Sequence, residues 1–164
     1  MMTSRKIVYI ALLSALSIIF GYIESLFPAF ITVPGIKLGI SNIVILFALF
    51  FLDKPSVFLI MLVKVTVTSL LFSGMNMFFY SVSGGILSLI AMIAFKRYHF
   101  SIYGISMAGG IFHNLGQLIT ASIMLNTHSV IYYLPILLIS GLLVGWIIGA
   151  VCKIIVSRFE NFRF

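Results

Sequence analysis

The chain has 164 residues, of which 62% are hydrophobic and 8% charged, with a formal net charge of +7. A soluble domain typically carries about 25% charged residues, so this composition excludes a water-soluble enzyme or binding domain and makes lipid the solvent for most of the surface. A mean hydropathy of +1.27 agrees.

A spanning helix needs ~20 mainly apolar residues. Six apolar segments of that order follow one another, at 7–27, 36–52, 55–72, 76–95, 102–125 and 131–156. They predict an all-α, polytopic membrane protein with six transmembrane helices, the whole of 1–164 forming one integral membrane domain. The runs are long and continuous, unlike the short alternating strands of a β-barrel.

In the first segment, Arg5 and Lys6 precede an apolar run, as in a signal peptide. The run from Ile7 to Phe27 is too long for a signal core, so it reads as the first retained helix. Ala11 and Ala15 stand four apart on it, and Glu24 lies near its far end. Pro28, Pro34 and Gly35 then break the chain. Lys37 and Asn42 enter the second segment, and Asp53-Lys54-Pro55 makes a polar turn, proline suiting the first turn of the next helix. The second and third segments are short for a full crossing, which leaves local thinning or a partly re-entrant course open.

Lys64 stands about nine residues into the third segment, near mid-membrane at ~1.5 Å per residue, with Thr68 one turn on. Ser73, Gly74 and Asn76 mark the next turn, and Tyr80, Ser81 and Ser83 make the fourth segment polar near its start. After a basic turn at Lys96-Arg97-Tyr98-His99, the fifth segment carries Gly109, Gly110, His113, Gln117 and Thr120 along one side, with Asn114 bordering them. Asn126-Thr127-His128 closes it. Gly141, Gly145 and Gly149 recur at spacing four on the sixth segment, a row that lets helices approach closely in lipid. The single cysteine, Cys152, excludes an internal disulfide and a multi-cysteine metal site.

With the N-terminus inside, Arg5, Lys6, Lys54, Lys96, Arg97, Lys153, Arg158 and Arg163 all fall on the cytoplasmic side, eight of the ten basic residues. Both termini are then cytoplasmic, in a bacterial plasma membrane, and the net charge needs no nucleic acid to explain it.

Polar side chains inside a bilayer are costly, a charged one at least ~2.5–3.5 kcal/mol at its centre. Here they gather between the middle and the outer surface: Glu24, Lys37, Asn42, Lys64, Tyr80, His113, Asn114 and Gln117. A channel needs polar lining along its length; a pocket open to the outside needs only the outer half. The pattern therefore points to binding of a small solute. Each residue also has a plainer reading: Lys64 pairing with Glu24 or snorkelling, Glu24 with Lys37 as an outer salt bridge, Asn42 as a cap or bridge, His113, Asn114 and Gln117 as bonds between helices, and Tyr80 as an interfacial ring. The chain has three acidic residues, Glu24, Asp53 and Glu160. Clustered aspartates that would hold magnesium and diphosphate are absent, as are Walker, HExxH and CxxC motifs. No catalysis, metal or cofactor is expected, and powered transport would need a partner ATPase.

Pro34-Gly-Ile-Lys-Leu-Gly-Ile-Ser-Asn42 together with Gly109-Gly-Ile-Phe-His-Asn-Leu-Gly-Gln117 resembles the Gx transporter family, often labelled heptaprenyl diphosphate synthase component I, over nearly the whole chain. That family is similar to the S components of energy-coupling factor transporters. The resemblance implies a six-helix bundle that binds a small solute in its outer half, with a membrane coupling subunit and two ATPases as partners. It also implies that Ala11-Leu-Leu-Ser-Ala15 docks on the coupling subunit. A buried lysine and histidine suggest an anionic or carbonyl-bearing ligand; an isoprenoid, quinone or flavin precursor fits. Two alternatives stay open: a membrane component associated with heptaprenyl diphosphate or menaquinone synthesis, and a scaffold with no ligand.

Overall fold

The computed structural model describes residues 4–26 and 39–159, with Ser73 by its backbone alone. These residues form helices and turns, with no strand among them. The helices are α1 (Ser4–Leu26), α2 (Asn42–Phe51), α3 (Lys54–Thr68), α4 (Met75–Arg97), α5 (Ile102–Met124) and α6 (Leu134–Phe159). A π-helical turn, Ser69–Ser73, prolongs α3, and a 3₁₀ turn, Ser129–Tyr133, leads into α6.

Four of these units are long and apolar enough to cross a membrane by length and composition: Ser4–Leu26, Lys54–Phe72, Met75–Arg97 and Ser129–Phe159. The chain is a membrane protein whose exposed surface is itself apolar. α1 turns Ile7, Val8, Leu12, Leu16 and Ile19 outward while burying Ile10, Ser14 and Ser17. That inversion of the soluble pattern suits a helix whose outer face meets lipid and whose inner face meets small side chains.

The remaining two helices depart from the segments expected of them. The second segment, expected at 36–52, forms a helix only from Asn42 to Phe51. Residues 36–38 lie outside the described part. Gly39 has φ +68°, a left-handed conformation no helix continues through, and Gly39–Ser41 form a turn closed by Asn42 N–H donating to Gly39 O at 2.8 Å. Ten residues span ~15 Å, half the hydrocarbon core, so α2 alone does not cross a bilayer. α5 has 23 residues, but its glycines and its His113-Asn114…Gln117 side chains lower its hydropathy. It lies between α4 and α6, and these two contacts are the most extensive in the bundle.

Close backbone approach makes both contacts. A Cβ at Gly141 would lie 2.9 Å from the Gly110 carbonyl; one at Gly145 would lie 2.7 Å from Met107 Cα; one at Gly116 would lie 2.7 Å from Ser83 O. Only residues without side chains fit there. The aliphatic core lies around α2 and α3, where Leu46, Val57, Ile60 and Met61 pack with Ile105 and Cys152 from α5 and α6.

Most of the basic side chains among the described residues lie at one end of the bundle. Lys6 Nζ pairs with Asp53 Oδ1 at 2.7 Å, joining the start of α1 to the α2–α3 turn. Lys96 Nζ donates to Leu49 O at 2.6 Å and stands 5.0 Å from the centre of the Phe50 ring. Phe159 packs edge-on against Phe47, bringing in the end of α6.

Gly141→Val should lower stability by about 1–3 kcal/mol through overpacking, read as a fall in the detergent melting temperature, whereas Ala11→Val on the exposed face of α1 should leave it unchanged. The Lys6 ammonium and the Ser56 hydroxyl hold the Asp53 carboxyl below its ordinary value of 3.8. A depressed carboxyl contributes stability above its unfolded value and loses it as pH falls through the folded one. The stability difference between wild type and Asp53→Asn should therefore be present at pH 7, amount to about 0.2–1 kcal/mol for so exposed a pair, shrink as pH falls below the unfolded value of about 4, and vanish only below the depressed folded value. A difference that persists under acid would remove the ion pair as its cause.

Candidate functional site

The polar side chains fall into two groups on either side of α4. The first joins α1, α2 and α3. Ser17 Oγ donates to Ser41 O at 3.2 Å, Ser41 Oγ donates to one Glu24 carboxylate oxygen at 3.4 Å, and the Gly39 N–H donates to the other. Glu24 thus holds the left-handed turn that opens α2. Asn42, the first residue of that helix, accepts from Lys64 Nζ through Oδ1 at 2.9 Å. Thr68 Oγ1 donates back to the Lys64 carbonyl at 2.8 Å, and Gly21 lets α1 close on Thr68, since a Cβ there would sit 2.7 Å from Thr68 Cγ2.

The second group lies between α4 and α5. His113 Nε2 and Gln117 Nε2 are 3.2 Å apart on successive turns. Gly84 lies against this pair, a Cβ there falling 3.0 Å from His113 Cε1 and 3.1 Å from Gln117 Cγ. Thr120 Oγ1 donates to Ser83 Oγ at 2.6 Å, and Ser83 Oγ donates to the Gly116 carbonyl at 3.0 Å. Gln117 is buried, and its Oε1 has no hydrogen-bond partner among the described residues. An unmet acceptor inside lipid is costly, and a ligand donor is one way to meet it.

α4 separates the groups by a single helix because of two adjacent glycines. Gly84 faces α5, and Gly85 faces α3, where a Cβ would lie 2.8 Å from Met61 Sδ. Lys64 is ten positions beyond Lys54 and His113 is eleven beyond Ile102, so both stand ~15–17 Å from the basic end.

Of the other expected site residues, Asn114 donates through Nδ2 to Leu137 O at 2.7 Å and Ser140 Oγ at 3.2 Å, tying α5 to α6. Tyr80 is half-buried on α4, and its carbonyl accepts from Ser83. Ala11 and Ala15 are exposed on the outward face of α1. Lys37 lies outside the described residues. Among the described residues, no three His, Cys, Asp or Glu side chains are grouped to hold a metal.

Ser17, Ser41, Gly84 and Ser140 were not singled out in the sequence. For Ser17 a signal exists: Ser14, Ser17, Gly21 and Glu24 follow the three-and-four spacing of one helix face. A stripe of small and polar residues on an otherwise aliphatic helix marks its buried side.

One ammonium, one imidazole, one carboxylate and two side-chain amides stand in these two groups. A family model described as heptaprenyl diphosphate synthase component I matches residues 13–155. Among curated proteins and solved structures none matches the chain.

Asn42→Ala should cost about 1–3 kcal/mol by leaving the Lys64 ammonium short of an acceptor. Combined with Lys64→Met, it should cost less than the sum of the two single changes, measured as a double-mutant cycle of detergent melting. Strict additivity would mean that the 2.9 Å contact contributes nothing to the fold.

Proposed function

The chain belongs to the heptaprenyl diphosphate synthase component I family, and from that membership and the site geometry we propose that it is a solute-binding membrane subunit of an uptake system of the energy-coupling factor type. The polypeptide crosses the membrane six times. Its basic end and both termini face the cytoplasm, as the bias of lysine and arginine favours. The solute is small and anionic or carbonyl-bearing, with an isoprenoid- or quinone-related compound fitting the apolar surroundings. The residues we assign to it are Lys64 on one side of α4 and His113 and Gln117 on the other, with Asn42, Glu24, Lys37, Tyr80 and Asn114 as further contacts, and no covalent chemistry follows. Ala11 and Ala15 dock a membrane coupling subunit, which two ATPases drive.

The observation that carries this reading is the placing of Lys64 and the His113–Gln117 pair at equal depth on the two sides of α4, away from the basic end, with one buried amide oxygen unmet. The exposure of the two alanines supports a partner on α1. The family description favours a second reading, a membrane component associated with prenyl diphosphate or menaquinone synthesis.

Purification of the tagged full chain in mild detergent, with mass spectrometry of retained proteins and small molecules, separates the two. The expected result is a membrane coupling protein with ATPases, and a solute whose retention falls at least about tenfold in Lys64→Ala, the loss of one charge-assisted hydrogen bond. Gln117→Leu should lower retention while leaving the melting temperature unchanged. Recovery of a soluble prenyl synthase, with no retained solute, would replace the transport reading by the biosynthetic one.

A further inference from the structure

At the basic end an open groove of about 350 Å³ runs between α3 and α4, with walls that are almost wholly apolar: Phe58 from α3, and Ile86, Ile90 and Ile93 from α4. Lys54 stands at its mouth as the charged member of its lining. Ile86 and Ile93 are seven residues apart, so the groove follows the helix axis for ~10 Å inward from the charged end. Phe58 and Ile90 are exposed, and the groove therefore opens sideways toward the surrounding lipid.

The charge at its mouth is one-sided. Lys54 opens α3, and Lys96 and Arg97 stand on the last turn of α4. Asp53, the acid at this end among the described residues, is engaged by Lys6 and Ser56. Lys96 is turned to the Leu49 carbonyl and the Phe50 ring. Lys54 is thus left as an exposed cation above an apolar slot.

We propose that this groove is a binding site for an anionic phospholipid, one acyl chain lying along Phe58, Ile86, Ile90 and Ile93 and the phosphate meeting Lys54. A helix is ~10 Å across with its side chains, and a space of about 350 Å³ holds less than one turn of it, so a slender chain fits where a partner helix does not. Basic pockets between helices at a cytoplasmic surface take such headgroups. The site is separate from the polar groups around α4 and does not rest on the transport reading.

Native mass spectrometry of the purified full-length protein, titrated with dioleoyl phosphatidylglycerol and with dioleoyl phosphatidylcholine, tests it. Wild type should retain phosphatidylglycerol in preference, and Lys54→Gln should reduce that preference about fivefold, the effect of one lysine at an anionic headgroup. Ile90→Trp, which fills the groove from its exposed wall, should weaken retention of both lipids while sparing the preference. Equal binding of the two lipids by wild type, or a preference unaltered in Lys54→Gln, would overturn the proposal. So would a polyprenyl diphosphate or a peptide found in the groove in place of phospholipid, its loss in Ile90→Trp identifying the position.

Discussion

In lipid the hydrophobic effect no longer draws one helix onto another, because acyl chains are as apolar as leucine. Association must come from close van der Waals contact and from polar groups that find each other. The backbone contact between Gly110 of α5 and Gly141 of α6 supplies the first, continued at Gly145 and Gly149 along the same seam. On the other side of α5, Gly109 meets Met92 and Ser88 and Gly116 meets Ser83. α5 is thereby held between two helices at backbone distance, which brings the stretch bearing His113, Asn114 and Gln117 into the bundle. Glycine lowers its helical propensity by up to ~1 kcal/mol per residue, and the packing offsets that.

The polar groups follow from this frame. Because α4 carries adjacent glycines that face opposite neighbours, α3 and α5 come near from its two sides, and their polar residues stand at matching depth. Asn114 is taken up by α6 and Ser83 by Thr120, so these bind helix to helix. The buried amide oxygen of Gln117 is what such stapling leaves over. Across α4, the Lys64 ammonium donates to the side-chain amide oxygen of Asn42.

Much of this was legible in residue order. Apolar runs and turn residues locate α1, α3, α4, α5 and α6 within a few positions, because length and hydropathy are local properties. α2 was the exception. Its apolar run extends back to Ile36, but Gly39 adopts a left-handed turn held by the Glu24 carboxylate, a contact across fifteen positions that no periodicity reports. The depth of Lys64 and His113 was readable from helix counting. Asn114 shows the limit: its neighbour on the sequence stripe, His113, turns to Gln117, whereas Asn114 turns to α6, and one step of 100° around the helix decides which. Gly84 and Gly85 were equally silent, since facing direction depends on partners.

The two ends of the bundle are unlike in kind, and the difference constrains function. At one end Lys6, Lys54, Lys96, Arg97, Lys153 and Arg158 outnumber Asp53 among the described residues. Carrying it across a bilayer would cost ~2.5 kcal/mol or more for each unpaired cation. Toward the other end, Glu24, Asn42 and Lys64 nearly balance and are bonded through short side chains and a glycine turn rather than a packed aliphatic core. The core around Leu46, Val57 and Ile60 lies on the charged side of Lys64. Close aliphatic packing is thus concentrated toward the basic end, and polar contacts lie beyond it. A membrane protein that opens at all opens where hydrogen bonds, and not close-packed side chains, hold it shut.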